Sequence, residues 1–518
     1  MPDRWMSRWV PAPVAFAAAI VAFAVLAAHA WQSFSGAYLN YVSGIWLALG
    51  RDLASGVFVR DLIGPLGYGG TRYFPLFFIL IGSFLAVGIP PLVAGGLASG
   101  VAGSLLAAGL ARIARALNAP RSVMWIAAAA AVASYFVQQT LFEVRADVLA
   151  AALNLWGLSA AVPLFRAQPA ARPRVWPAVV WFTLALATKV TSLTVPGCVA
   201  IALMLAGRAR SGIRFTVGMA AGLAAFFALV QAASAGRALA SWRACMFADS
   251  SGGQLLRRLL AGDFIALARY SHLLTALLGL ACIAVAAGLF FDWRARQPRH
   301  AARDSDGLGG QAMWLPVTLL AGVSASTALT LSSPGTVPSN QMVEWLGVIV
   351  AVVIWMAAAR RELRLVLSTL LAVVIVWMSA QDAVRVSQLW QTRATRTTAA
   401  TRQQIVDRVA QAPGPVLSES ALWPVLAGRP PFLLDPFALR VVMMSRPDIA
   451  RDLEARIDAR VFPMVIFQVD PTSTKGRGYF ENVNFGWPIT ARILSHYRFE
   501  SRPASDVWIY VPKGPDER

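Results

Sequence analysis

The chain has 518 residues, of which 57% are hydrophobic and 14% are charged, and its mean hydropathy is +0.58. A soluble domain carries about 25% charged residues, so this composition excludes a cytosolic enzyme, a disordered scaffold and a secreted disulfide-stabilised module. The net charge of +20 would favour nucleic acid as the partner of a soluble protein, but the arginines stand in short loops between apolar segments, as in membrane proteins, and we expect no nucleic-acid partner.

The apolar segments predict a protein that crosses a membrane many times, because a span needs about 20 apolar residues. The first segment, 11–31, follows Arg4 and Arg8 and lacks a clear cleavage site, so we interpret it as an uncleaved anchor. The segment 74–111 is long enough for two spans, and Pro90-Pro91 is expected to break it. The remaining candidates are 122–141, 147–165, 175–189, 191–207, 214–235, 272–291, 313–332, 341–358 and 365–380. We predict about eleven spans.

Clusters of arginine between these segments predict the orientation. The clusters are Arg112/Arg115/Arg121, Arg166/Arg172/Arg174, Arg208/Arg210/Arg214, Arg294/Arg296/Arg299/Arg303 and Arg360/Arg361/Arg364. If each cluster is cytoplasmic, the N-terminus is cytoplasmic and the tail after Ser379 is extracytoplasmic. The loop and the short turns that contain the other notable charged residues, described next, then all lie on the outer face.

The first outer loop, 32–73, contains two carboxylates. Tyr38, Val42, Trp46, Leu49 and Leu53 recur at helical spacing, which favours a helix lying in the membrane interface. Asp52 falls within this pattern, where a solvated helix face is expected. Asp61 follows Arg60 and precedes a Gly/Pro-rich turn that ends at Arg72. A carboxylate in such a place is a candidate general base or metal ligand, and a solvated ion pair of Asp61 with Arg60 or Arg72 is the competing interpretation.

Other charged residues mark three short outer turns. Arg145 and Asp147 follow Glu143 at a predicted membrane boundary, where solvated helix caps are the alternative. Lys189, one of three lysines in the chain, stands between two apolar runs, which indicates either a functional cation or a snorkelling side chain. Asn340 and Glu344 begin a span after a Pro/Gly turn.

The tail, 381–518, differs in composition from residues 1–380. Residues 381–411 are polar and helical in pattern. Short apolar runs at 415–418, 431–434, 461–469 and 507–512 then alternate with helical patterns such as 447–460. This alternation predicts a small soluble α/β domain.

Taken in order, these motifs resemble the bacterial GT-C membrane glycosyltransferases, most closely the family 39-like (dolichyl-phosphate-mannose mannosyltransferase-like) set. The resemblance lies in the Val59-Arg60-Asp61 loop, Tyr73-Phe74-Pro75-Leu76, the R-x-D element at Arg145, the TKxT-like turn at Lys189 and the SN-xxx-E turn at Asn340. In the tail, LSES (417–420) and LAGRPPFLLDPF (426–437) are similar to the end domain of such proteins.

The resemblance implies a polytopic α-helical, GT-C-like fold and transfer of a sugar from a polyprenyl-phosphate carrier to an acceptor hydroxyl on a glycan, lipid or protein. It makes Asp61 the catalytic base, in a bacterial inner membrane. The expected substrate- or carrier-binding residues are Arg60, Arg72, Arg145, Asp147, Lys189, Asn340 and Glu344. No cofactor is certain, and a divalent metal is a candidate. The alternatives are a transporter or flippase for a lipid-linked or anionic solute, and a non-catalytic protein of envelope assembly.

Overall fold

A computed structural model describes most of the chain. The described residues are 9–33, 39–166, 173–246, 272–295, 313–332, 339–392 and 399–514. Arg172 and the cluster residues Arg296, Arg299 and Arg303 lie outside them, as does the predicted helix position Tyr38.

Helices dominate residues 9–392, and each predicted apolar segment is helical over most of its length. They are α1 (Ala12–Ser33), α2 (Tyr41–Ala54), α3 (Pro75–Ala86), α4 (Pro91–Ala116), α5 (Arg121–Val132), α6 (Tyr135–Phe142), α7 (Asp147–Arg166), α8 (Trp176–Thr188), α9 (Thr194–Leu205), α10 (Ala209–Ala233), α11 (Arg237–Met246), α12 (His272–Ala295), α13 (Trp314–Ser332), α14 (Ser339–Ala359) and α15 (Arg364–Thr392). The last helix continues through the expected domain boundary at 380/381.

Six helices of the described part are long and apolar enough to cross a bilayer, and a seventh span results if the bent pair α5–α6 counts as one. The chain is therefore a multi-pass membrane protein, and the predicted count of eleven spans is not confirmed. The segment 74–111 does break at Pro90-Pro91. Of its two helices, α3 has 12 residues, or about 18 Å, which is short of the roughly 30 Å of a hydrocarbon core. Only α4 is long enough to cross.

Arginines of the predicted clusters lie together at one end of the bundle. Arg166 donates to Ala116 O, and Arg208 donates to Leu164 O at 2.7 Å. Arg364 lies over the Trp9 ring, 5.4 Å from its centroid, at the start of the described chain. Cations that donate to the last carbonyl groups of a helix complement its dipole. The arginines therefore mark one end of the bundle, and the tail lies at the opposite end.

The tail contains a four-stranded sheet flanked by helices. Its strands are β3 (Leu417–Ser418), β4 (Val465–Phe467), β5 (Tyr497–Ala504) and β6 (Val507–Pro512), in the order β3-β4-β6-β5. The β3–β4 pair is parallel and the other two pairs are antiparallel. The helices are α16 (Ala399–Gln411), α17 (Leu422–Leu426), α18 (Pro436–Ser445), α19 (Pro447–Asp458), α20 (Thr474–Asn482) and α21 (Trp487–His496).

Two details of the tail differ from the prediction. The run 431–434 is not a strand of this sheet. Leu433 instead forms a bridge with Tyr68 of the first loop, because the backbone groups of 432–434 find their partners there. Strand β5 was not predicted, since its polar, largely exposed sequence lacks the apolar run by which buried strands are recognised.

The tail is docked directly on α2 and the first loop. At Gly44 of α2 a side chain would collide with the backbone of Leu422 in α17, so only glycine permits this approach. Ten residues of α2 are buried. The helix predicted at the membrane interface is thus present, but it is enclosed by α3, α4 and α17.

Candidate active site between the helical bundle and the tail

The two carboxylates of the first loop have opposite environments. Arg60 donates from Nε and Nη2 to the two carboxylate oxygens of Asp52, each at 2.6 Å. Both side chains are buried, at 3% and 6% exposure, and Arg60 Nη1 also donates to Pro431 O at 2.6 Å. The expectation of a solvated Asp52 was therefore wrong, because the fold brings Arg60 back onto α2. With its donors used internally, Arg60 is not placed to contact a ligand.

Asp61 lies at the open end of a short hairpin. Strands β1 (Ile63–Gly64) and β2 (Gly67–Tyr68) pair antiparallel, and Gly69 N donates to Leu62 O at 3.2 Å. The Asp61 side chain is 58% exposed, and among the described residues it forms an ion pair with Arg237 at 4.0 Å, not with Arg60 or Arg72. Arg237 begins α11, whose Ser241 accepts a hydrogen bond from Thr71 N at 2.5 Å. Helix α11 thus contacts the loop at both Asp61 and Thr71.

Arg72 lies at the end of the first loop, next to a group of polar aromatic and charged residues. Its guanidinium lies over the Phe437 ring of α18, 4.2 Å from the centroid. Burial raises the pKa of Tyr41 to about 12, and Tyr73 and Asp435 add to this shift while Arg72 and Arg145 oppose it. These residues of α2, the loop, the tail and the α6–α7 turn therefore surround one polar region.

The α6–α7 turn carries Arg145 on a strained backbone. Val144 has φ +52°, a conformation that a β-branched residue rarely adopts. Arg145 Nη1 is 3.1 Å from Glu143 Oε2, and Gln139 donates to the other Glu143 oxygen at 2.8 Å. The turn thereby holds an arginine towards Tyr41, and strain of this kind is concentrated at functional sites.

A second group of charges adjoins this turn. Lys189 Nζ donates to Asp147 Oδ1 at 2.6 Å. Glu344 of α14 accepts hydrogen bonds from Asn154 at 2.7 Å and from Ser192 at 3.2 Å, and it interacts electrostatically with Lys189 and Asp147. The structure therefore brings three predicted residues together at the ends of α7, α8 and α14.

Asn340 lies in the first turn of α14, and the position of its side chain is outside the described part of the structure. Among the described residues, no three His, Cys, Asp or Glu side chains converge, and Asp147 already pairs with Lys189.

Several residues of this region were not predicted as site residues from the sequence. They are Tyr41, Tyr73, Asn154, Ser192 and Asp435. Asn154 carried a signal, since it is a single amide in the long apolar stretch of α7. Asp435 stands in the tail motif LAGRPPFLLDPF, but its sequence context did not place it in this region, because it reaches the region only through the docking of the tail. Arg72 and Arg145 share the polar region around Tyr41, and Lys189 pairs with Asp147 two residues after Arg145. Guanidinium and ammonium groups of this kind are suited to bind an anionic group.

The fold resembles two solved proteins. The apo oligosaccharyltransferase of Archaeoglobus fulgidus matches 97% of this chain and 74% of its own, at 11% identity and a TM-score of 0.55. The same protein tethered to an acceptor peptide with an NVT sequon gives a TM-score of 0.56. ArnT from Cupriavidus metallidurans bound to undecaprenyl phosphate matches 96% of this chain and 98% of its own, at 13% identity and a TM-score of 0.54.

No protein-family model matches the sequence, and a search of curated proteins finds no significant match. The structural likeness confirms the expected GT-C-like fold. At such low identity it concerns the fold alone.

Proposed function

We propose that the protein is a membrane glycosyltransferase that moves a sugar from a polyprenyl-phosphate carrier to an acceptor hydroxyl at the outer face of a bacterial inner membrane. The observations that support this proposal are the polar region that Arg72 and Arg145 share with Tyr41 and Asp435 where the first loop meets the tail, and the ion pair of Lys189 with Asp147, two residues after Arg145. The solved ArnT with a similar fold is bound to undecaprenyl phosphate, and a lipid carrier suits a polar region next to apolar helices.

The carrier phosphate is assigned to the cations. Lys189 and Asp147 form a partly exposed pair, with 22% and 13% of their side chains accessible. Arg72 retains 30% exposure. A phosphate bound by these side chains would gain charge-assisted hydrogen bonds from ammonium and guanidinium groups. As the bond between the anomeric carbon and the phosphate oxygen breaks, its electron pair stays on the phosphate, and these cations stabilise the growing negative charge.

Asp61 is assigned as the general base. Within the described residues its carboxylate accepts no hydrogen bond from another side chain, and the 4.0 Å contact with Arg237 leaves it accessible. The acceptor oxygen attacks the anomeric carbon while its proton passes to the Asp61 carboxylate. Asp52 is unsuited to this role because Arg60 occupies both of its oxygens.

Asp147 and Glu344 are assigned to positioning, and so is Asn340, which lies four residues before Glu344 in α14. Asp147 orients the ammonium of Lys189, and Glu344 is held by Asn154 and Ser192. For the orientation, the arginines grouped at the opposite end support a cytoplasmic N-terminus and an extracytoplasmic tail, 381–518, under the positive-inside rule.

Envelope composition tests the proposal. Glycans, lipids and glycoproteins extracted from a deletion strain, compared with the wild type by mass spectrometry, should lack one sugar modification, and wild-type protein supplied from a plasmid should restore it. Asp61→Asn should fail to restore it at normal membrane abundance. An envelope that is unchanged by the deletion would contradict the proposal.

A further inference from the structure

The tail and the first loop are joined by contacts that fix the tail in place. Tyr68 N donates to Phe432 O at 2.7 Å, and Leu434 N donates back to Tyr68 O at 3.0 Å. Arg60 reaches Pro431 O. These bonds anchor residues 431–434 and thereby fix the backbone position of the next residue, Asp435.

Asp435 uses its two carboxylate oxygens differently. The side chain is buried, at 0% exposure, and Oδ1 accepts hydrogen bonds from Phe437 N at 3.0 Å and Ala438 N at 3.1 Å, which caps α18. Oδ2 accepts no hydrogen bond from the described residues and lies 3.7 Å from Arg72 Nε. The cap therefore needs one oxygen, while the other places a negative charge against a cation of the site.

We propose that Asp435 is a counter-charge, supplied by the tail, that weakens the hold of Arg72 on the anionic group of the ligand. This inference rests on the proposed function. An anion on the exposed side of the Arg72 guanidinium would lie roughly 6–8 Å from Oδ2, a separation at which like charges still repel appreciably in a partly buried site. Without this carboxylate the phosphate left after transfer would be retained, and release of the product would slow turnover.

The variant Asp435→Asn isolates the charge. Asparagine caps helices as well as aspartate does, so α18 and the docking of the tail are retained. The purified full-length protein is titrated with undecaprenyl phosphate and, separately, with uncharged undecaprenol. We expect undecaprenyl phosphate to bind about tenfold more tightly than to the wild type, after allowance for solvent screening at Arg72, with undecaprenol binding and the melting temperature unchanged.

Asp452→Asn is the matched control. Asp452 is also a carboxylate of the tail that contacts the first loop, through Tyr68 OH at 2.5 Å, and it should leave the affinity for undecaprenyl phosphate unchanged. Unchanged or weaker binding by the Asp435 variant would overturn the inference, as would an equal gain with undecaprenol. A wild type that binds both lipids equally would instead show that the proposed carrier is wrong, and both conclusions would fall together.

Discussion

Replacing Asp52 and Asp61 separately by asparagine should give two opposite phenotypes. In the Asp52→Asn protein, Arg60 remains 3% exposed, and the carboxylate that bound two of its nitrogens is replaced by an amide with a single acceptor oxygen. Removing one partner of a buried ion pair costs about 3–5 kcal/mol. Since Arg60 also donates to Pro431 O, the substitution should also weaken the contact between the tail and the first loop.

The Asp61→Asn protein should keep its stability. Its carboxylate is 58% exposed and 4.0 Å from Arg237, and exposed pairs of this kind contribute about 0–1 kcal/mol. Loss of a general base typically lowers the rate by about 10²–10⁴. The variant should therefore reach normal membrane levels and be almost inactive.

Two measurements on each purified variant separate these outcomes: the apparent Tm in detergent, and the rate of sugar transfer from lipid-linked donor under single-turnover conditions. The Asp52 variant should show a lower Tm and reduced abundance, with residual activity in the fraction that remains folded. Full activity of Asp61→Asn, together with a stable but inactive Asp52→Asn, would refute the assignment of the two carboxylates.

Three further predictions concern the cation, the tail and the orientation. Lys189→Met should abolish most binding of the lipid-linked donor at normal protein abundance, because it removes the ammonium group beside Asp147. Lys475 is an exposed lysine of the tail, and Lys475→Met should leave donor binding unchanged. Equal donor titrations for the two variants would contradict the assignment of Lys189. Glu419 is buried, which raises its pKa, and its carboxylate accepts hydrogen bonds from Gln468 N, Tyr479 OH and Asn484. In Glu419→Gln the new amide NH2 group would face one of these donors, so the free energy of unfolding, measured by chemical denaturation, should fall by about 1–3 kcal/mol. The exposed Glu481→Gln should cause no measurable change. Alkaline phosphatase fused after Arg518 should be active and a green fluorescent protein fused there should be dark, and the reverse pattern would overturn the proposed topology.

The helices of the bundle follow from the sequence because their signal is local. Runs of apolar residues, prolines at Pro90-Pro91 and arginines at helix ends act within a few turns of chain. The same holds for most of the short strands of the tail, at 417–418, 465–467 and 507–512. The long edge strand β5 was not predicted because its exposed sequence contains no apolar run.

Partners that are distant in sequence were decided by the tertiary structure. Asp52 and Asp61 each follow an arginine in the sequence, and the sequence alone does not show that Arg60 pairs with Asp52. The pair forms because the loop returns onto α2. Asp435 faces Arg72 only because the backbone of 432–434 pairs with Tyr68. A side chain's burial and charge partner depend on which surfaces meet, and that depends on the summed packing of many residues, so no short motif encodes it.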